Sequence, residues 1–190
     1  MRKLVLSMMV SIDGYIEDQQ HSLEWFAWDE EMERYMLNFL RGFDLFIYGR
    51  KSYEILAEYW PEADAAPAWP DRDPEFAFRM NETPKLILTS SAGELAWNAK
   101  RFGADPANEL RQLKMREGQN IALFAGASAA SYFIREGLVD EYHLIVNPAV
   151  LGGGTPLFRG DERPGQLRLI SSRSFPSGIV ILHYATDLQQ

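Results

Sequence analysis

The sequence predicts an α/β protein that forms a single domain over residues 1–190. Short apolar runs of strand length alternate with segments that have the periodicity of amphipathic helices, a pattern typical of this class. A chain of 190 residues can bury one substantial core but is short for two ordinary domains. Near the C-terminus two apolar runs flank a Pro-Ser-Gly turn, which predicts an antiparallel hairpin. We therefore expect a mixed, mostly parallel sheet flanked by helices and ending in a hairpin.

Seven apolar runs predict the strands of this sheet. Five have the continuous hydrophobicity of strands covered on both faces; in chain order they are KLVLSMMV, LFIY, KLIL, IALF and YHLIV. The two runs of the hairpin are QLRLISSRSF and IVILHYAT. The basic and apolar N-terminus resembles a signal peptide, but Asp13 and Gly14 interrupt it and no cleavage pattern follows, so we interpret it as the first strand.

Four helices are predicted between these strands. The first begins after Asp29 as N-cap, ends before Gly42 and has one apolar stripe, formed by Met32, Tyr35, Met36, Phe39 and Leu40. The others are expected over 52–59, after Asp105 and Pro106, and over 128–136. The segment 60–83 is rich in Pro, Asp, Ala and aromatic residues without a clear period, and we expect an ordered insertion with a short helix.

The composition excludes several classes of function. No apolar run approaches the roughly 20 residues that span a bilayer, so no membrane partner is expected. The net charge of −8 without a basic tract argues against nucleic acid, although a local basic pocket for one phosphate group stays possible. The chain lacks cysteine, which suits a cytoplasmic protein, and its three histidines are not spaced as metal ligands, so no metal is expected. His143 and His183 fall in strands, where packing is the simpler role.

Three predicted strand ends have residues suited to ligands, which gather at such ends in open α/β sheets. The first is followed by Gly49, Arg50, Lys51 and Ser52 at a helix start, where a phosphate could bind or charges could simply be solvated. The second ends in three hydroxyl residues, Thr89, Ser90 and Ser91, which could also only close a turn. The third runs into small residues that either expose backbone amides to a diphosphate or permit close packing: Ala125, Gly126, Ala127, Ser128 and Ala129. None has the spacing of a Rossmann fingerprint or a P-loop.

Four motifs in order resemble the dihydrofolate reductase superfamily, and more closely its branch with the riboflavin-biosynthesis (RibD) C-terminal reductase domain. They are SIDGYI, GRKSYE, TSS and GASAASYFIREGLVDEYHLIVNPAVLGGGTPLF. The resemblance covers most of the chain except the 60–83 insertion. It implies the three-layer dihydrofolate reductase-like fold, with a sheet of about eight strands between helices. It also implies an enzyme that binds NADPH and transfers hydride to a planar heterocycle.

The resemblance assigns cofactor contacts to residues at matching positions. It places Gly49, Arg50, Lys51 and Ser52 in the phosphate-binding turn, and Thr89, Ser90 and Ser91 on the adenosine-phosphate side. It places the diphosphate at the turn formed by Ala125, Gly126, Ala127, Ser128 and Ala129. Asp13, Gly14 and Ile16 fall in the loop that covers the nicotinamide.

The sequence departs from the family at the substrate. Phe124 stands where riboflavin reductases have a glutamate that holds the substrate, and Ala125 replaces the first of two glycines of dihydrofolate reductases. The folate enzymes use a carboxylate early in the first helix, and Asp29, Glu30 or Glu33 could act there as catalytic residues, although acidic residues also favour any helix start. Aromatic residues near the expected cleft could stack on a ring or belong to the core; the substrate-binding candidates are Trp25, Trp28, Tyr48, Tyr53 and Phe124.

Two kinds of function follow. We expect an NADPH-dependent reductase of a small pterin-like or pyrimidine-like substrate; 5-amino-6-(5-phosphoribosylamino)uracil, the riboflavin-pathway substrate, is the alternative. The departures at Phe124 and Ala125 also permit a catalytically idle nucleotide-binding protein of the same fold. Related reductases often pair, so a cytoplasmic homodimer is expected.

Overall fold

The computed structural model describes residues 1–62, 73–160 and 165–187. Its strands are β1 Leu4–Val10, β2 Tyr15–Glu17, β3 Phe43–Gly49, β4 Lys85–Leu88, β5 Ala99–Arg101, β6 Asn120–Leu123, β7 Glu141–Val146, β8 Thr155–Pro156, β9 Leu167–Ser174 and β10 Val180–Thr186. Its helices are α1 Glu30–Leu40, α2 Arg50–Tyr59, α3 Pro74–Glu82, α4 Pro106–Met115 and α5 Ala127–Arg135, with a short 3-10 helix at Trp60–Glu62.

Eight of the strands form one mixed sheet in the order β5-β4-β3-β6-β1-β7-β10-β9. The pairs from β5 to β7 are all parallel, whereas β10 runs antiparallel to both β7 and β9. The predicted mostly parallel sheet with a C-terminal hairpin is therefore confirmed. Strands β2 and β8 form a separate antiparallel pair beside it.

Helices cover the sheet on both faces, which gives the three-layer arrangement. Alternate side chains of β1 face opposite sides: Leu4 and Leu6 pack with residues of α4 and α5, whereas Val5 packs with residues of α1 and α3. Both cores consist of fully buried aliphatic and aromatic side chains, so burial of apolar surface on both faces holds the layers together.

A close contact between the layers positions the two helix starts that matter for function. A Cβ atom built on Gly49, the last residue of β3, would lie 3.1 Å from the Cβ of Ala129 in the first turn of α5. Ser52, in the first turn of α2, accepts a hydrogen bond from the backbone of Gly126 at 3.1 Å. Small residues at both ends therefore bring the starts of α2 and α5 together at one edge of the sheet.

The remaining differences from the sequence prediction concern short elements. Strands β2, β5 and β8 have two or three residues each and were not predicted, because so few residues show no periodicity. The helix expected within 60–83 is α3, and Trp60 stacks on its Phe76 with ring centroids 5.5 Å apart. Residues 63–72 of that insertion lie outside the described residues. None of the described helices combines the length and apolarity of a membrane-spanning segment.

Candidate functional site

A cavity of about 1470 Å³ opens at the carboxyl ends of the parallel strands. Its walls come from the ends of β1, β3 and β4, the first turns of α2 and α5, and the β2–β8 pair. In open α/β sheets this edge is where ligands bind, and the volume is sufficient for a dinucleotide with a second, smaller molecule.

One end of the cavity, where β3 and β4 finish and α2 begins, is polar and cationic. Among the described residues that line it, four are cations and one is a carboxylate: Arg50, Lys51, Arg135, Arg159 and Glu17. The same cavity is lined by hydroxyl groups from Ser52, Thr89, Ser90, Ser91, Ser128 and Thr155. Because the whole chain has a net charge of −8, this concentration of positive charge is local and favours an anionic ligand.

The start of α5 is shaped to accept a ligand at close range. A Cβ atom on Gly126 would meet only Ser52 Oγ at 3.7 Å and Ile16 Cδ1 at 3.9 Å, which are ordinary contacts. Packing within the protein therefore does not require glycine here, whereas a side chain would project toward the cavity that Gly126 lines. The Ala125–Gly126 peptide is trans. The turn thus exposes a helix N-terminus without a side chain over it.

Arg50 has an incomplete set of hydrogen bonds. Its Nε donates to Glu54 Oε1 at 2.6 Å, but its buried Nη1 has no hydrogen-bond partner within the described part of the chain. A buried cationic N–H without an acceptor is unfavourable, so an anionic oxygen in the cavity would complete the site.

Lys51 is held differently, by Glu17 of β2. Glu17 accepts hydrogen bonds from Lys51 Nζ and Thr155 Oγ1, each at 2.6 Å, and lies 3.0 Å from His21 Nδ1. Burial raises the pKa of this carboxyl, but these hydrogen bonds outweigh it and lower the pKa to about 2. Glu17 is therefore ionised at neutral pH and ties the β2–β8 pair to α2.

The other end of the cavity, toward β1 and β7 in the sheet order, is apolar. The apolar residues of the cavity wall include Met8, Met9, Leu23, Phe26, Met36, Ile55, Leu56, Phe124 and Ile145. Phe124 is held flat by its neighbours, because it stacks on Tyr48 with centroids 5.9 Å apart and meets Phe46 edge-on at 5.2 Å. Such a surface suits a planar ring. Ser7, at the base of this end, adds a hydroxyl group.

Most predicted cofactor residues lie together on the wall of this cavity. They are Ile16, Gly49, Arg50, Lys51, Ser52, Thr89, Ser90, Ser91, Gly126, Ala127, Ser128 and Ala129. Ala125 is fully buried beneath the turn. Asp13 and Gly14 do not line the cavity; the Asp13 carboxylate instead accepts backbone hydrogen bonds from Leu151 and Gly152 at 3.1 and 2.8 Å.

Of the predicted substrate residues, the structure brings only Phe124 to the cavity wall. Tyr48 is fully buried behind it, and Tyr53 is buried with its hydroxyl group bonded to the backbone of Ala96. Trp28 packs edge-on against Phe76 of α3, with centroids 6.3 Å apart. Trp25 packs against Phe26, which itself lines the cavity.

The two predicted catalytic carboxylates lie outside the cavity wall. Asp29 caps α1 by accepting from Met32 N at 2.7 Å, and its other oxygen accepts from Ser177 N at 2.8 Å. Burial raises the pKa of Asp29, but these hydrogen bonds outweigh it and lower the pKa. Glu33 accepts from Asp73 N at 3.1 Å on the exposed surface. Both contacts are ones that helix starts and surfaces normally make.

Sequence reasoning missed several wall residues. Arg159 follows the three-glycine segment and donates to Ser128 Oγ at 3.1 Å. The sequence contains no motif that identifies this arginine as a ligand residue. Its position in the cavity depends on the antiparallel pairing of β8 with β2. That return needs Gly154, which has φ +128° and whose added Cβ would collide with the backbone of Glu17. Within the described ranges, no group of three or more His, Asp or Glu residues could hold a metal ion.

The sequence matches the family described as the RibD C-terminal domain over residues 2–181. The curated protein YyaP of Bacillus subtilis, named as uncharacterized, is 32% identical over 183 residues, covering 96% of this chain and 94% of its own. The crystal structure of a putative riboflavin biosynthesis protein from Shewanella sp. PV-4 superposes with a TM-score of 0.70 at 20% identity, covering 97% and 99% of the two chains.

Dihydrofolate reductase from Enterococcus faecalis, solved with NADP(H), superposes with a TM-score of 0.60 at 11% identity, covering 97% of this chain and 96% of that one. The fold is therefore dihydrofolate reductase-like, and the chain belongs to the RibD C-terminal domain family. Family and fold together support a reductase of the riboflavin-pathway type.

Replacing Asp29 with alanine should lower the free energy of unfolding by about 1 kcal/mol, because the variant loses an N-cap acceptor. The pKa of Asp29 is lowered in the folded protein, so its contribution is present above the ordinary value of 3.8 and is lost as the pH falls through the lowered one. Urea unfolding at neutral pH and in acid should show this difference shrinking in acid.

Glu33→Ala is the matched control, since it removes an exposed carboxylate of the same helix and should change stability little. Neither substitution should alter ligand binding. Loss of ligand binding by Asp29→Ala with unchanged stability would instead place this carboxylate in the site.

Proposed function

We propose that the protein is an NADPH-dependent reductase that transfers hydride to a small planar heterocycle. The observation that carries this proposal is that one cavity has cations and hydroxyl groups where β3 and β4 end, and apolar side chains from β1 and β7, which lie beyond β6 in the sheet. A phosphorylated dinucleotide with an adjoining aromatic substrate has the same division of charge. Family and fold add support, since they are those of reductases.

The residues of the polar end fit the cofactor. The turn from Gly126 to Ala129 and the Ser52 hydroxyl would hold the diphosphate, because helix N-termini and hydroxyl groups donate to anionic oxygens. Arg50 and the hydroxyls from Thr89 to Ser91 would hold the 2′-phosphate; Arg50 Nη1 still needs an acceptor. When bound, the nicotinamide supplies the hydride, and the protein supplies orientation and a site shielded from water.

Lys51, Glu17 and the loop through Asp13, Gly14 and Ile16 would cover the cofactor rather than bind its phosphates. The ion pair between Lys51 and Glu17 joins α2 to β2, and Asp13 fastens the same loop to the glycine segment. Ile16 is the loop residue that reaches the cavity wall. We propose that this loop orients the nicotinamide by contact.

The apolar end of the cavity limits which substrates can bind. Phe124 cannot accept the hydrogen bond that the glutamate of riboflavin reductases accepts, so a polar ribosylaminopyrimidine would leave groups unpaired there. A pterin-like or pyrimidine-like ring would instead stack on Phe124 among methionine side chains, which adapt to flat ligands. Asp29 and Glu33 are not included in this proposal, because the cavity wall lacks both.

Reduction of 5-amino-6-(5-phosphoribosylamino)uracil is the second candidate. Family membership favours it, and Arg135 and Arg159 could hold a substrate phosphate at the cationic end. Measurable NADPH oxidation with a substrate would distinguish either reductase from a catalytically idle nucleotide-binding protein.

We also propose that the protein forms a cytoplasmic homodimer through β9. This strand is one of the two edges of the sheet, all its residues are exposed, and Leu169 and Ile170 expose 51% and 43% of their surface. Exposed apolar edge strands attract further strands, so a second copy would cover it.

Light scattering should give a dimer that Leu169→Lys converts to monomer; a monomeric wild-type protein would contradict the proposal.

Replacing Arg50 with methionine should weaken NADPH binding about 10- to 100-fold, because a charge-assisted hydrogen bond to phosphate contributes about 1.5–3 kcal/mol. NADH, which lacks the 2′-phosphate, should bind the wild-type protein more weakly than NADPH and should respond less to the substitution. Quenching of tryptophan fluorescence measures both affinities. Arg116→Met, an exposed change after α4, is the control. Equal affinity of the wild-type protein for both dinucleotides would contradict the assignment.

The purified protein should oxidise NADPH when given at least one small conjugated heterocycle from a panel of pterins and pyrimidines. It should not restore growth without riboflavin to a strain that lacks the riboflavin reductase, because Phe124 leaves the ribosylaminopyrimidine unpaired. Loss of NADPH absorbance and growth are the two measurements. Restored growth would establish the second candidate, and tight NADPH binding without oxidation of any heterocycle would indicate the idle protein.

A further inference from the structure

Ser7 is a hydroxyl residue at the base of the apolar end of the cavity. It lies in the middle of β1, is 2% exposed and lines the cavity beside Met9 and Ile145. Its Oγ lies 3.0 Å from Nδ1 of His143, the residue directly across on β7. A polar residue in a central strand needs such a partner, and here the partner is itself buried.

His143 connects this hydroxyl group to a second groove on the protein surface. Its other ring nitrogen, Nε2, lies 2.9 Å from the hydroxyl group of Tyr35 on α1. Tyr35 lines a separate groove of about 490 Å³ together with Glu31, Arg34, Asn38, Phe39 and Arg173. A hydrogen-bonded series therefore links the base of the cavity to a residue that lines the polar groove; its members are Ser7, His143 and Tyr35.

The imidazole of His143 is held in place by its neighbours and is uncharged. His143 has no exposed surface and stacks on Phe39 and Tyr35, with ring centroids 4.1 and 5.7 Å apart. Burial, and then the nearby His183, lower the pKa of His143 to about 3. A neutral imidazole has one N–H and one acceptor nitrogen, so it can pass a hydrogen bond from one side to the other.

The different acidities of the Tyr35 and Ser7 hydroxyl groups favour one direction of donation along these hydrogen bonds. A phenol is a stronger hydrogen-bond donor than an aliphatic alcohol, which favours the tautomer in which the Tyr35 hydroxyl donates to Nε2 and Nδ1–H donates to Ser7 Oγ. In that tautomer the Ser7 proton is free to point away from His143, toward the cavity that Ser7 lines.

We infer that Ser7 donates a proton to the bound heterocycle and that His143 and Tyr35 position it and return the proton from the second groove. This inference rests on the proposed function. When the carbon of a C=N bond gains a hydride, its nitrogen must gain a proton. Ser7 gives its hydroxyl proton to that nitrogen and takes one from Nδ1–H, Nε2 takes the Tyr35 proton, and Tyr35 takes a proton from solvent, which leaves His143 as the Nε2–H tautomer. After product release, water in the open cavity reverses these shifts and restores the resting tautomer. Each group of the chain stays neutral, and the net change consumes one hydride and one proton.

Tyr35→Phe is the decisive variant, because it removes only the hydroxyl group at the far end and leaves the cavity wall intact. Tyr184→Phe on β10 is the matched control. In nitrogen-15 spectra of histidine-labelled protein without ligands, the His143 resonances should show Nδ1 protonated and Nε2 as acceptor. Tyr35→Phe should shift Nε2, and Tyr184→Phe should not. The opposite tautomer in the wild-type protein, or an unchanged Nε2, would overturn the inference.

Kinetics with whichever panel heterocycle the wild-type protein reduces give the second test. Tyr35→Phe should lower kcat on the order of 10²-fold with little change in KM, the usual contribution of a proton-transfer group. Ser7→Ala should lower kcat at least as much, and NADPH binding should be retained in both. Wild-type kcat in Tyr35→Phe would overturn the relay. If the wild-type protein reduces nothing, the proposed function and the catalytic step both fail, and the histidine spectra alone decide whether the donor chain exists.

Discussion

The close approach of β3 and α5 is the constraint on which the candidate site depends. Gly49 ends the strand where any side chain would press on Ala129, and this brings the first turns of α2 and α5 within one hydrogen bond of each other. Two helix N-termini therefore face one cavity: α5 has only small residues in its first turn, and α2 has Ser52 after two cations. Their combined dipoles make this edge of the sheet favourable for an anion even before Arg50 is considered.

The charges at this edge have distinct roles that their sequence positions do not reveal. Arg50 and Lys51 are neighbours, yet Arg50 retains a buried N–H in need of an acceptor while Lys51 is occupied by Glu17. A residue of the β2–β8 pair thus decides which of two adjacent cations is available to a ligand. Because Glu17 also accepts from Thr155, the same carboxylate holds both strands of that pair over the cavity.

Much of the fold could be predicted because most strands of the main sheet are continuous apolar runs and several helices begin or end at clear caps and glycines. Asp29, Asp105 and Gly42 mark helix ends by local chemistry alone, and the structure has those ends. The candidate site was predicted where it depends on local motifs, as at Gly126. It was missed where it depends on tertiary contacts: Ser7 lies within an apolar strand, and only the packing of α1 against β7 gives it His143 and Tyr35 as partners.

The ionisation of the carboxylates limits which groups could supply a proton for the proposed reaction. Glu17 is the only carboxylate among the described wall residues, and its pKa of about 2 leaves it unable to donate at neutral pH. The lowered pKa of Asp29 gives it the same limitation, besides its place outside the wall. In the proposed reaction, hydride addition to a ring C=N bond in an apolar pocket would nevertheless create a strong base that must be protonated. A neutral hydroxyl group with a neutral path to solvent meets this need without placing a charge among methionine and phenylalanine side chains, where an ion would be costly.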